Sequence, residues 1–170
     1  MHEDYFEYID GSIFWKLRDE SGFDSSRGYN VHKNKYAGKL AGNLGNNGYL
    51  SVRINGKSKL NHRVIWEMFN GSIPAGMEID HIDTNPLNNR IENLRLASSA
   101  NNKWNMNRPS HNTSGFKGVS LFKKTGRYEA YIKVSGKKKH IGFFSTAEMA
   151  HKAYKEEADK LFGEFSRDGN

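Results

Sequence analysis

The sequence predicts an α+β chain built as two small domains, and three features carry that reading. Strand-like stretches are short and divided by Asn-Gly, Thr-Gly and Ser-Gly turns. Two of them flank an Asn-rich loop, and three more run in succession into one amphipathic helix near the C-terminus. With 170 residues, 36% hydrophobic and 12% aromatic, each domain must rely on a small core.

Taken in order, residues 1–60 predict strands and turns. Ile13-Phe14-Trp15 and Tyr49 to Ile54 have strand composition, and Asn47-Gly48 and Asn55-Gly56 mark turns. Ser21 to Lys39 is polar and contains Gly, which predicts a loop. Asn61 to Phe69 predicts a helix with Asn61 as N-cap and with Val64, Ile65, Met68 and Phe69 on one face. Met77 to His81 predicts a strand, Thr84 to Asn89 a loop, Leu94-Arg95-Leu96 the returning strand, and Ser98 the cap of a helix running to about Asn107. Residues 1–107 therefore form the first domain and 108–114 a Pro- and Gly-bearing linker into a second domain, 115–170. That second domain reads as a meander of strands at 118–121, 128–134 and 139–143. A helix follows, opened by a capping box from Ser145 to Glu148, with Ala150, Ala153, Tyr154, Ala158 and Leu161 on its apolar face.

The formal charge is +7 and the pI near 9.5. Between Thr113 and Ser145, eight basic residues stand against one acidic, so this segment holds the whole net charge while the remainder balances to zero. A polyanionic partner fits such clustering. The chain has no cysteine, which excludes disulfide frameworks, thiolate nucleophiles and Cys-based zinc ribbons. No apolar run approaches the roughly 18 residues of a membrane helix, and Met1 to Glu7 is acidic, unlike a signal peptide. The expectation is a protein of the cytoplasm with no membrane association.

Candidate chemistry concentrates between residues 80 and 105. Asp80 precedes His81, Asn93 follows twelve positions after His81, and Asn102 twenty-one. Phosphodiester hydrolysis needs a base for water, neutralisation of developing charge and stabilisation of the departing oxygen. A strand histidine can be the base, while a neighbouring carboxylate and an amide oxygen can hold a hard cation. For Asp80 and His81 to share one site the strand must bend or end there, and Asn93 could accept a hydrogen bond from His81 and set its tautomer.

These residues resemble the HNH endonuclease family in its phage and homing branch. The resemblance runs through Asn61-His62-Arg63, Gly71 to Gly76, Ile79-Asp80-His81-Ile82-Asp83, Asn88 to Arg95 and Asn101 to Asn105. It implies a ββα-metal fold with His81 as general base, Asn93 orienting it, and Asp80 and Asn102 as metal ligands. The family often has His at the third signature position. Asn102 there suits one Mg²⁺ (or Mn²⁺) better than zinc, with Asn101 as the alternative ligand. His62 has either a substrate-side or a structural role, Arg63 and Arg95 either clamp phosphate or pair with acids, and Asp83 braces the loop.

The C-terminal segment resembles the APETALA-type DNA-binding domain through Gly115 to Val119, Arg127 to Ile132, Ile141 to Phe144 and Thr146-Ala147-Glu148. That resemblance implies a small three-stranded antiparallel sheet packed on one helix. Its DNA-facing positions would be Lys117, Ser120, Phe122, Lys124, Tyr131, Lys133, Lys138 and His140. Lys in place of Arg attracts phosphate without bidentate base readout. The expected activity is cleavage of double-stranded DNA by a monomer, working in the bacterial host cell if phage-encoded. The alternatives are a non-catalytic DNA-binding protein and a structure- or RNA-directed nuclease.

Overall fold

A computed structural model describes residues 2–99, 102, 112–134 and 136–166. The chain divides into two compact units, Met1–Leu96 and Ala97–Asn170. Both are mixed α/β, with several small sheets and three helices among the described residues. No helix there is long and apolar enough to cross a membrane.

The first unit begins with a hairpin of β1 (Phe6–Ile9) and β2 (Ser12–Trp15). Asp10 and Gly11 both have positive φ, 47° and 84°, which is the two-residue turn whose twist matches antiparallel strands. Helix α1 (Ser26–Lys35) follows, then a sheet of β3 (Asn43–Leu44), β4 (Leu50–Ile54) and β5 (Lys57–Leu60). Asn55 and Gly56 repeat the positive-φ turn between β4 and β5. Helix α2 (Asn61–Asn70) leads to the pair β6 (Met77–His81) and β7 (Leu94–Ser98). The core joins Phe6 and Ile13 of the hairpin, Val52 and Ile54 of β4, Val64 and Ile65 of α2, Ile79 of β6 and Leu94 of β7. Each such side chain contributes about 1.5–3 kcal/mol through its burial.

Two expectations fail in this unit. Ser21 to Lys39 is not a loop throughout, since ten of its residues form α1. The Ser25 side chain accepts from Gly28 N–H at 3.2 Å, and His32 is buried with a ring nitrogen 2.8 Å from the Lys16 carbonyl. Trp15, Phe23 and Tyr36 rings surround His32, so tertiary packing overrides a polar, Gly-containing sequence. Asn61 is not the N-cap of α2, a position held by Leu60. Asn61 is itself helical and buried, and its Nδ2 donates to Ala41 O at 2.9 Å.

The second unit is a sheet of β8 (Val119–Phe122), β9 (Arg127–Val134) and β10 (Lys137–Phe144), ordered β10-β9-β8, with α3 (Ala147–Phe162) against it. Ala130 and Ile132 turn inward onto Ala147, Ala150, Tyr154 and Ala158. The small side chains let the helix sit close. Gly118, at φ 70°, touches it so tightly that a Cβ would overlap the Tyr154 ring. Thr146 rather than Ser145 caps α3, accepting from Met149 N–H at 3.3 Å. Phe162 rather than Leu161 enters the core, Leu161 being exposed.

Of the expected linker, 108–111 lies outside the described residues. Asn112 and Ser114 hydrogen-bond to the Phe116 and Val119 carbonyls. Ser98 ends β7, and the helix expected after it falls largely outside the described residues, although Ser99 and Asn102 are helical.

Candidate active site

Strand β6 ends in three buried residues, Ile79, Asp80 and His81. Asp80 and His81 take different partners. Arg95 on β7 directs Nε and Nη2, each 2.9 Å away, onto Asp80 Oδ2. The pair is nearly enclosed, at 13% and 6% side-chain exposure, so each charge offsets the desolvation of the other. His81 instead joins a ring cluster with His62, at 4.9 Å and edge-on, and with Tyr49 at 6.0 Å. Its Nε2 lies 2.8 Å from Asn89 Oδ1. An amide oxygen only accepts, so Nε2 carries the proton and Nδ1 carries the lone pair of the neutral ring.

The loop between β6 and β7 is stiffened from within. Thr84, at φ 63°, closes a tight turn through its N–H to His81 O at 2.9 Å. Asn93 accepts from Asp83 N–H at 3.1 Å and donates to Asp83 Oδ1 and Asn88 O at 2.9 and 2.8 Å. Asp83 also receives Asn85 N–H and Asn88 Nδ2. Partial burial disfavours its ionised form, but hydrogen bonds from Asn88, the Asn85 backbone and Asn93 outweigh this and hold the carboxyl below the usual range. Asp83 thus braces the loop.

The β1–β2 hairpin supports the same loop from outside. Asp10 Oδ2 receives Arg90 Nη2 at 2.6 Å, and Tyr8 Oη receives Ile91 N–H at 3.1 Å. A Cβ on Gly11 would stand 3.0 Å from Arg90 N and 3.3 Å from the Asn89 carbonyl carbon. Arg90 and Ile91 are therefore held by this hairpin, which also packs closely against Asn89.

Asn93 and Asn89, not Asn93 alone, divide the polar contacts of this loop. The Asn93 amide is committed to Asp83 and Asn88, and the contact to the imidazole comes from Asn89, which is 1% exposed. The only signal for Asn89 in the sequence was its place in the Asn88-Asn89-Arg90 stretch of the resemblance. Arg95, a candidate phosphate clamp, pairs with an acid. Arg63, half-buried in the first turn of α2, has no ion pair or hydrogen bond among the described residues. His62 is buried, and desolvation, followed by the charges of His81 and Arg63, pushes it down to about 3.

Asn102 is helical and half-buried in the second unit, and Asn101 lies outside the described residues. No group of three or more His, Asp or Glu arranged to hold a metal occurs among the described residues. The oxygen donor this hairpin offers next to His81 in sequence is the Asp80 carboxylate, an oxygen ligand of the kind hard divalent cations take.

In the second unit, the sheet face opposite α3 carries Ser120 and Phe122 from β8, Tyr131 and Lys133 from β9, and Lys138 and His140 from β10. Six of the eight expected DNA-facing residues thus share one face, while Lys117 and Lys124 sit in the turns flanking β8. Glu129 lies among them. Its carboxylate meets Lys138 Nζ at 2.8 Å and His140 Nδ1 at 3.0 Å, and Lys138 also lies 4.1 Å from the Tyr131 ring centroid. The hydrogen bond from Lys138 is the main cause holding the Glu129 carboxyl below its usual range.

His81 thus ends β6 next in sequence to Asp80, on a strand pair joined by an Asn-braced loop. A family model described as HNH endonuclease matches residues 59–104. Protein 3.8 of Escherichia phage T7 is 40% identical over 111 residues, covering 65% of this chain and 91% of the phage protein. An uncharacterized HNH endonuclease, L560, of Acanthamoeba polyphaga mimivirus is 37% identical over 124 residues, 72% of this chain and 63% of that protein. APETALA2-like protein 2 of rice is 38% identical over 55 residues, 32% of this chain and 13% of the plant protein. No solved structure matches the chain. The chain belongs to the HNH endonuclease family. Nucleases of this family generally use a divalent metal and act on DNA.

Proposed function

We propose that the protein is a metal-dependent endonuclease that hydrolyses phosphodiester bonds of double-stranded DNA at the β6–β7 hairpin. The observation that carries this reading is the buried His81, with its Nε2 2.8 Å from Asn89 Oδ1, at the end of the strand that also bears Asp80. With Nε2 carrying the ring proton, Nδ1 accepts a proton from water as the water oxygen bonds to phosphorus. The bond to the 3′-oxygen breaks in line, that oxygen takes a proton from solvent, and His81 later returns its own. When bound, a divalent ion, Mg²⁺ or Mn²⁺, supplies Lewis-acid stabilisation of the charge on the phosphate and the leaving oxygen. Asp80 is the ligand proposed on this hairpin. The assignment of Asn102 as a further ligand rests on the family spacing. Asn93 acts through the loop, keeping Asp83 and Asn88 closed around it, and Arg63 is the cation on this unit that we assign to a backbone phosphate.

The exposed sheet face of the second unit is assigned to DNA as an APETALA-type module, through Lys117, Ser120, Phe122, Lys124, Tyr131, Lys133, Lys138 and His140. Its lysines attract phosphates without reading guanine edges as Arg does. On this reading 1–107 is the nuclease domain and 115–170 the DNA-binding domain, joined through 108–114. We assign the protein as a monomer, and action in the host cytoplasm fits its similarity to a phage protein.

The test is relaxation of supercoiled plasmid in Mg²⁺ or Mn²⁺ by the wild type and by His81→Ala. Metal-dependent nicking that His81→Ala loses while still binding DNA supports the reading. Equal cleavage by the variant removes His81 as base, and binding without cleavage by the wild type removes the nuclease.

A further inference from the structure

The region from β2 to β4 precedes the matched signature at 59–104, yet it carries an unusual surface. Leu17, Val31, Tyr36, Leu40 and Leu44 are each at least 40% exposed. Two hollows meet there, sharing Val31. One is a cleft of about 500 Å³ walled by the rings of Tyr5, Trp15, Phe23 and Tyr36, with Arg18 and Arg53 in its lining. The Arg18 guanidinium lies 4.4 Å from the Tyr5 ring centroid and 4.6 Å from that of Phe23. The other is a groove of about 740 Å³ along α1, lined by Arg27, Lys35 and Lys39 with two asparagines.

Neither lining contains an acid. Arg27, Lys35 and Lys39 have no carboxylate partner among the described residues. Open apolar rings beside uncompensated cations are costly in water, since the rings stay hydrated and the charges repel. One ligand chemistry relieves both. A flat π-system stacks on aromatic walls and guanidinium planes, and the phosphates attached to it neutralise the row of cations. The volume of the cleft lies within the range of small-molecule sites. The Asn43 amide in its lining, and the Asn55 side-chain carbonyl oxygen whose amide nitrogen donates to Tyr5 Oη at 3.2 Å, offer partners for the edge of a base.

We propose that this surface is a second nucleic-acid site, seating one unstacked nucleobase of a DNA strand in the aromatic cleft and its flanking phosphates along Arg27, Lys35 and Lys39. It rests on the reading of the protein as an enzyme acting on DNA. It adds to that reading a preference for DNA containing an unpaired base, as found at a bulge, a mismatch or a frayed end.

The experiment measures binding of the full chain to a fluorescent duplex carrying one bulged base and to its fully paired counterpart, in EDTA to suppress cleavage. The wild type is expected to favour the bulged duplex by roughly 5- to 150-fold, the range of one base–aromatic stack. Tyr36→Ala is expected to remove that preference. Arg27→Ala/Lys35→Ala/Lys39→Ala is expected to lower the slope of log affinity against log salt by about 2–3 on both duplexes. All four residues are exposed, and thermal melting of the variants verifies an intact fold. A wild type without the preference, or variants that retain both preference and salt slope, overturns the proposal. Plasmid cleavage by the same samples separates the two readings: cleavage without bulge preference sinks only this site, whereas a wild type that neither binds nor cleaves DNA sinks both.

Discussion

His62 gives the sharpest quantitative test, because its burial converts directly into a pH dependence of stability. The ring is 5% exposed, packed edge-on against His81 and beside Tyr49 at 5.3 Å. Desolvation foremost, and then the charges of His81 and Arg63, push it from 6.5 down to about 3. A histidine whose folded pKa is depressed leaves stability intact above the unfolded value and erodes it as the pH falls toward the folded one. Between pH 7.5 and pH 5 the unfolded chain takes up almost one proton at this residue that the folded chain refuses. Integrating that difference with an unfolded pKa of about 6.5 gives about 2 kcal/mol, insensitive to the folded pKa as long as it lies below about 4. His62→Gln removes the titration while keeping a polar side chain of similar length. Urea unfolding followed by tryptophan fluorescence, at both pH values and in both proteins, gives the comparison. The wild type should lose about 2 kcal/mol more than the variant on acidification, whatever the variant costs at pH 7.5. Parallel losses in the two proteins would refute the burial argument for His62.

Four further outcomes follow from particular contacts. Asn89→Ala should lower kcat for plasmid cleavage by roughly 10-fold or more, part of the 10²–10⁴ that a general base supplies, with KM nearly unchanged; Asn89→Asp should recover part of the loss because a carboxylate also accepts from Nε2. Gly11→Ala places a Cβ against Arg90 at a φ of 84°, so chemical denaturation should show a loss of about 1 kcal/mol or more and cleavage should slow together with it. Ile132→Ala, at a site 2% exposed, should cost roughly 2–5 kcal/mol in the unfolding of the second unit, read by circular dichroism. Glu129→Gln releases Lys138 and His140, so DNA affinity by fluorescence anisotropy should rise and its salt slope should steepen by about 1; an unchanged slope would show that these cations do not reach phosphate.

Strands β2, β4, β6 and β9 were legible because their signals are local, whereas β1, β3 and β5 carry no comparable run. The Asn55-Gly56 turn, the alternation of β9 and the run from Met77 to His81 each name their element without help from the rest of the chain. Helix α1 was not legible. Ser26 to Lys35 reads as Ser-Arg-Gly-Tyr-Asn-Val-His-Lys-Asn-Lys, polar and weak in helix propensity. What holds it is the seating of His32 among Trp15, Phe23 and Tyr36, a contact between segments that no window of sequence contains. The same distinction explains the caps: Asn61 has a capping side chain, but the Ala41 carbonyl 20 residues away takes its Nδ2.

In the site, spacing picks out candidate residues more readily than what each one touches. Asp80, His81 and Asn93 follow from chemistry and family spacing, yet the partner of the imidazole does not, because in an Asn-rich loop every asparagine is an equally good turn former. Only the fold separates Asn93, spent on closing the loop, from Asn89, buried against the ring. The loop in turn is held by the Asp10-Gly11 turn and by Tyr8, and the ring cluster takes Tyr49 from just before β4. These groups all precede the matched segment, 59–104. On the proposed function, the signature carries the reacting groups without being a self-sufficient site: the hairpin at residues 6–15 holds Arg90 and Ile91, next to the Asn89 that meets the His81 ring. On that reading, a chain trimmed to residues 59–104 would keep the proposed base and lose the contacts that hold the loop against it.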